Sequence, residues 1–310
     1  MPPLPPLRAL SLFDGLSCGR IALERAKVPV EVYFASEIDT HAESISRYNY
    51  PDIVRLGDVN NIDFRSLGPI DLVLAGSPCQ SFSVAGKQMG FEDPRGQLFW
   101  QFIRALEDLK PRYFLLENVR MSGFSEKIIS SEVGVFPVEI NSARVSAQNR
   151  TRLYWTNIPI IQPLPNKCIF LDDVIEWDAP WSPNSPSTDA RISGERYDTR
   201  PVLVEKGNAR RRSDPLMTAL TSFYTPYFVQ TDQGYRSPTI TEIERLQTLP
   251  EGYTQFGDYG NGEASPLSRS RRIHAIGNGW TVDVIKHLLE GIGCPHEKVM
   301  LPYAQNRIFA

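Results

Sequence analysis

The chain has 310 residues, 41% of them hydrophobic and 22% charged, with a formal net charge of −3 and a pI near 5.9. That length buries a substantial core without small-scaffold staples. The charge excludes a global basic field, so contact with nucleic acid would fall to local patches such as Arg210-Arg211-Arg212 or Arg269, Arg271 and Arg272.

Cys18, Cys79, Cys168 and Cys294 form no C-x-x-C pair, and His41, His274, His287 and His296 form no H-x-x-x-H pattern. Neither a disulfide framework nor a zinc site is expected, which points to a reducing, intracellular setting. The opening MPPLPPL lacks a charged n-region and the apolar stretch behind it stops at Asp14, so it reads as neither signal peptide nor membrane span. Residues 1–6 read as a disordered or extended leader.

From residue 8 short apolar strands alternate with helical stretches, the pattern of a doubly wound α/β sheet covered by helices. Strands are expected at 9–13, 32–36, 53–56, 71–75, 113–117, 136–140 and 152–156, and helices at 17–27, 39–48, 96–109 and 119–130. Between 159 and 236 the texture turns proline-rich and polar, with β-rich pieces such as TSFYTPYFVQ, so a small, irregular, mostly β insertion is expected there. Helical signals return with a capping box at Thr239 and Glu242 and with VDVIKHLLEGIG at 282–293.

LFDGLSCGRIAL joins the first strand to the first helix through Gly15 and Gly19, and Glu37 ends the second strand. Glycines there let a ligand approach the backbone, and a carboxylate about twenty residues on can take both ribose hydroxyls of a nucleoside. The spacing is not G-x-G-x-x-G. An adenosine ligand without a pyrophosphate therefore fits better than a dinucleotide. Asp58, ending the third strand, faces the same crevice and can accept from an adenine amino group, or is simply a loop aspartate.

In GSPCQSFS, Pro78 and Cys79 stand just beyond the fourth strand, where ligands of open α/β sheets bind. Pro78 stiffens the exit and removes a donor, presenting Cys79 in a fixed pose. A lone cysteine is more often a small buried hydrophobe. Three features favour a nucleophile: a glycine-rich polar loop suited to a lid (SFSVAGKQMGFEDPRG), Glu117 at the end of the fifth strand, and Arg150 and Arg152 before the last. Thiolate, carboxyl and guanidinium at one sheet edge make a site able to attack an electron-poor ring such as cytosine protonated at nitrogen 3. The carboxyl would work at nitrogen 3 and Arg152 at the exocyclic oxygen.

FDGLSCG, GSPCQSFS, GKQMGFEDPRGQLF, ENV, QNRTRLYW, TEIERLQTLP and IGNGW, in that order, resemble the DNA (cytosine-5) methyltransferases from end to end. The resemblance implies a Rossmann-like methyltransferase sheet with a small β-rich target-recognition domain. It implies a pocket for S-adenosylmethionine, with S-adenosylhomocysteine as product, at Phe13, Asp14, Gly15, Gly19, Glu37, Ile38, Asp58, Pro78 and Asn278. It also implies a covalent nucleophile at Cys79, with Glu117, Arg150 and Arg152 at a cytosine flipped from double-stranded DNA. Gln80, Ser81, Ser83 and Lys87, with Arg210, Arg211 and Arg212, would meet the DNA. The catalytic domain would comprise 7–157 and 237–310, and target recognition 158–236.

GNGWTVDVIKHLL is similar to the tail of the eukaryotic de novo branch, whereas the lid resembles bacterial members. A compact, catalytic-only enzyme is expected, microbial or viral, acting in cytoplasm or nucleoid, or in the nucleus if eukaryotic. No membrane association is expected. A methyltransferase acting on tRNA and a non-catalytic DNA-binding homologue remain open as alternatives.

Overall fold

The computed structural model describes residues 4–76, 98–180, 202–205, 211–212, 216–218, 227–231 and 234–294. Its centre is a seven-stranded sheet built from the seven strands expected of the sequence: β1 (Leu7–Leu12), β2 (Val30–Ser36), β3 (Val54–Arg55), β4 (Leu72–Gly76), β5 (Tyr113–Val119), β6 (Val138–Asn141) and, after the two-residue β7 (Gln148–Asn149), β8 (Thr151–Thr156). Their spatial order is β3-β2-β1-β4-β5-β8-β6. The pairs among β1 to β5 are parallel, while β8 lies antiparallel to both β5 and β6. One reversed strand matters for function: it returns its first residues, Thr151 and Arg152, to the edge where β4 and β5 end.

Both sheet faces are covered, which explains the near-continuous apolar strands. Alternate side chains enter two separate cores: Leu7, Ala9, Leu72, Leu74, Tyr113 and Leu115 one, and Leu10, Leu12, Val73, Ala75, Phe114 and Leu116 the other. Helix α1 (Cys18–Arg25), helix α2 (Thr40–Asn49) and the late helix Val282–Leu289 bury Ile21, Ile45 and Ile285 in the first. Helices α3 (Leu98–Leu109) and α4 (Gly123–Val133) bury Phe99, Phe102 and Ile129 in the second.

Local chemistry sets the helix starts. Asp39 caps α2 by accepting from the amides of His41 and Ala42, and Ser122 caps α4 through Ser125. Because β5 runs on to Val119 before that cap, α4 starts later than the expected residue 119. The capping box is present at helix Ile240–Leu246: the Thr239 hydroxyl accepts from the Glu242 amide at 3.1 Å, and the Glu242 carboxylate accepts from the Thr239 amide at 2.8 Å.

Within the proline-rich stretch, β9 (Val202–Glu205), β10 (Arg211–Arg212), β12 (Tyr227–Thr231) and β13 (Gly234–Arg236) form a four-stranded antiparallel sheet. Strand β11 (Met217–Thr218) pairs in parallel with β7, which stitches this stretch to the segment leading into β8. At the other end Leu4 packs, partly buried, against the first core.

Candidate active site

The carboxyl edge of β1 and β2 carries one half of the site. After β1 the backbone passes through Phe13 (φ +57°), Gly15 (φ +58°) and Ser17 (φ +57°), a run of left-handed residues that turns the chain sharply before α1. A Cβ built on Gly15 would meet no atom within 4 Å, so this turn opens outward. Glu37 ties β2 to it: one carboxylate oxygen accepts from the Gly15 amide at 2.7 Å, and the other accepts from Ile38 and Asp39, both at 2.8 Å. Burial raises the Glu37 carboxyl above its ordinary range, and the three amide bonds pull the other way.

Asp14 supports the turn from beneath. It is 8% exposed and accepts from the Tyr33 hydroxyl at 2.8 Å and from Ser17, which in turn contacts the Ser46 hydroxyl at 2.6 Å. Burial raises its carboxyl too. A cleft bounded by Asp14, Gly15, Glu37, Ser46, Arg55 and Gly57 opens beside these groups. Ile38 is 71% exposed, and Asp58 caps the turn that follows β3 by accepting from the Asn60 amide at 2.9 Å. Asn278 is exposed at the end of helix Arg269–Asn278.

The second half lies where β4, β5 and β8 meet. Gly76, the last residue of β4, pairs with Glu117, which pairs with Tyr154 on β8; Val119 pairs with Arg152. The Glu117 carboxylate is held at both oxygens. Arg152 Nε lies 3.1 Å from one, and the indole N–H of Trp280 donates to the other at 3.2 Å. Glu117 is 8% exposed and Trp280 likewise 8%.

Of the two arginines predicted at the base, Arg152 pairs with Glu117, and Arg150, 4% exposed, donates to the carbonyls of Gly279 (3.1 Å) and Gly277 (3.4 Å). Arg150 therefore holds the turn around Asn278. Gln247 holds it as well, donating to the carbonyls of Ile276 and Gly279, each at 3.1 Å. Its side-chain oxygen accepts from Gln148 (3.2 Å) and Thr281 (2.9 Å). Three segments far apart in the chain are thus locked together.

Cys79, Pro78, Gln80, Ser81, Ser83, Lys87 and Arg210 lie outside the described residues, and Arg211 and Arg212 are described only as backbone in β10. Of the described cysteines, Cys18 is buried with its thiol pushed up to about 12 by desolvation, which makes it a packing residue and a poor nucleophile. Among the described residues no cluster of three or more His, Cys, Asp or Glu could hold a metal, and no helix is long and apolar enough to cross a membrane. Sequence reasoning gave no role to Trp280, Gln148 or Gln247. The only sign of them was their place inside IGNGW, QNRTRLYW and TEIERLQTLP.

The fold is that of Rossmann-like methyltransferases. The Entamoeba histolytica methyltransferase EhMeth superposes with a TM-score of 0.69 over 93% of this chain and 98% of its own, at 18% identity. Residues 7–127 match the family described as C-5 cytosine-specific DNA methylase. The type II methyltransferase M1.ScrFI of Lactococcus lactis subsp. cremoris is 34% identical over 312 aligned positions, spanning 87% of this chain and 76% of that protein. The orphan methyltransferase M.Rho11sI of Bacillus phage rho11s is 46% identical over 116 residues, but the match covers only 37% of this chain and 23% of the phage protein. The chain belongs to the C-5 cytosine-specific DNA methylase family.

Proposed function

We propose that this protein methylates carbon 5 of cytosine in double-stranded DNA, using S-adenosylmethionine as donor and Cys79 as a transient covalent nucleophile. One observation carries the reading: the sheet register sets Gly76 beside Glu117. Cys79 follows Gly76 by three residues, a reach of at most about 10 Å of extended chain. That reach supports a reading in which the thiol and the paired Glu117–Arg152 groups serve one pocket.

The first half of the site fits the donor. Glu37 offers carboxylate oxygens with remaining lone pairs beside an open Gly15, which suits ribose hydroxyls, and exposed Ile38 supplies an apolar surface for an adenine face. Phe13, Asp58, Pro78 and Asn278 complete this side, with Asp14 and Gly19 shaping it. When bound, the donor presents an electrophilic methyl group on a sulfonium sulfur. The protein's own groups prepare the acceptor. A flipped cytosine would place nitrogen 3 and its amino group against Glu117, which shares a proton there, and its exocyclic oxygen within reach of Arg152. The Cys79 thiolate adds to carbon 6, and the displaced double-bond electrons make carbon 5 nucleophilic. After carbon 5 has gained its methyl group it loses its proton to a base, and the carbon–sulfur bond breaks to restore the ring. Arg150 holds the Asn278 turn.

Residues 7–157 with 237–310 form the catalytic domain in this reading, and 158–236 the target-recognition domain. Gln80, Ser81, Ser83 and Lys87 of the lid and Arg210 to Arg212 contact DNA, chiefly its phosphates. The test is expression in a methylation-free host followed by bisulfite sequencing, with 5-fluorocytosine duplexes of the context found used for trapping. Wild-type protein is expected to mark cytosines and to form a denaturant-stable crosslink that Cys79→Ala lacks. A fully expressed wild type that leaves the genome unmodified, or an alanine variant that still methylates, overturns the proposal.

A further inference from the structure

We infer that Trp280 is a positioning residue that fixes the working orientation of the Glu117 carboxylate from the side of the donor pocket; this rests on the methyl transfer proposed above. The indole is wedged where three segments cross. A Cβ on Gly76 would lie 2.7 Å from Trp280 Nε1 and 3.1 Å from both Cε2 and Cζ2, and a Cβ on Gly19 would lie 3.5 Å from Cζ3. Only glycine at 76 lets the ring approach so closely the strand end that leads to Cys79, while the far edge of the ring reaches the first turn of α1.

The wedge leaves the indole little freedom, and its only polar group, the Nε1–H, meets a Glu117 oxygen at 3.2 Å. Arg152 holds the other oxygen at 3.1 Å. With one fixed donor on each oxygen the carboxylate can neither spin about its last bond nor follow the mobile end of a single arginine. A carboxyl group that must meet a flipped ring edge-on gains from this restraint, because misorientation at the reacting centre costs rate while leaving ground-state binding intact. Trp280 follows directly on the turn that bears Asn278, so the same segment lines the donor pocket and sets the acid.

The test removes the donor and keeps the ring. Site-specific replacement of Trp280 by benzothienylalanine, which has the indole's shape with sulfur in place of N–H, should lower the single-turnover methylation rate roughly ten- to a hundredfold. S-adenosylmethionine affinity should stay within about threefold. In a Glu117→Gln background the same replacement should cost almost nothing further, since the carboxylate through which it acts is gone. Independent losses, or a donor affinity that falls in step with rate, overturn the inference in favour of a packing role. The bond itself is read without activity. Among the indole N–H resonances of the five tryptophans, the Trp280 signal alone should move on Glu117→Gln. An unmoved signal refutes the bond. A wild type inert on DNA whose signal does move refutes instead the methyl-transfer reading, and the proposed role with it.

Discussion

Gln247→Leu removes one buried amide and keeps its volume. Gln247 is fully buried and takes part in four hydrogen bonds, to Ile276, Gly279, Gln148 and Thr281. Three of its partners keep another bond: the Gly279 carbonyl keeps Arg150, the Ile276 carbonyl keeps the Gly279 amide, and Gln148 keeps the Leu246 carbonyl. Thr281 still accepts from Ser142, but its own buried hydroxyl proton loses its acceptor. With that desolvation penalty added, the loss is about 3–4 kcal/mol. At about 2 °C per kcal/mol for a chain of this length, the melting temperature should fall by roughly 6–8 °C. S-adenosylmethionine affinity should fall as well, since the loosened turn carries Asn278. Gln247→Glu should be worse, because a carboxylate would face two carbonyl oxygens. Thermal melting and equilibrium donor binding decide the matter. A Gln247→Leu melting temperature within ~1 °C of wild type, or a Glu variant as stable as the Leu variant, refutes this account of the network.

Donor affinity should weaken on acidification in a window that starts above the ordinary carboxylate value of 4.5, because burial raises the Glu37 pKa and the protonated acid loses acceptor capacity. The sign for folding is opposite: a raised acid costs the folded state stability at neutral pH and returns it as pH falls through that window. Glu37→Gln should cut affinity about tenfold or more and abolish the pH dependence, read by titration calorimetry between pH 5 and about 8. Glu242→Ala should destabilise by ~3–5 kcal/mol, since the buried ion pair of Glu242 with Arg236 is broken and the Glu176 and Thr239 amides lose the Glu242 carboxylate as acceptor. Arg236→Leu combined with Glu242→Leu should cost clearly less than the two single losses added, by denaturant unfolding.

How far the sequence speaks depends on the range of the interaction. The strands were legible because both sheet faces are buried, so apolar runs such as DLVLA and YFLLE carry their own signal, and the Thr239 capping box is complete within four residues. The direction of β8 was not legible: RLYWT reads alike either way, and only its pairing with Glu117 and Val119 shows that it is reversed. Arg150 and Arg152 show the same limit at the site. Two residues apart, they suggest one face and one task. Yet Arg150 precedes β8, in a turn where its amide bonds the Gln148 carbonyl and its carbonyl takes the Ser142 amide. That turn lets its side chain donate to carbonyls 127 and 129 residues away, while Arg152 pairs with Glu117. Gln148, Gln247 and Trp280 stand in recognisable motifs for the same reason. Their chemistry is a contact between motifs, so it exists only once the sheet has brought those motifs to a common edge.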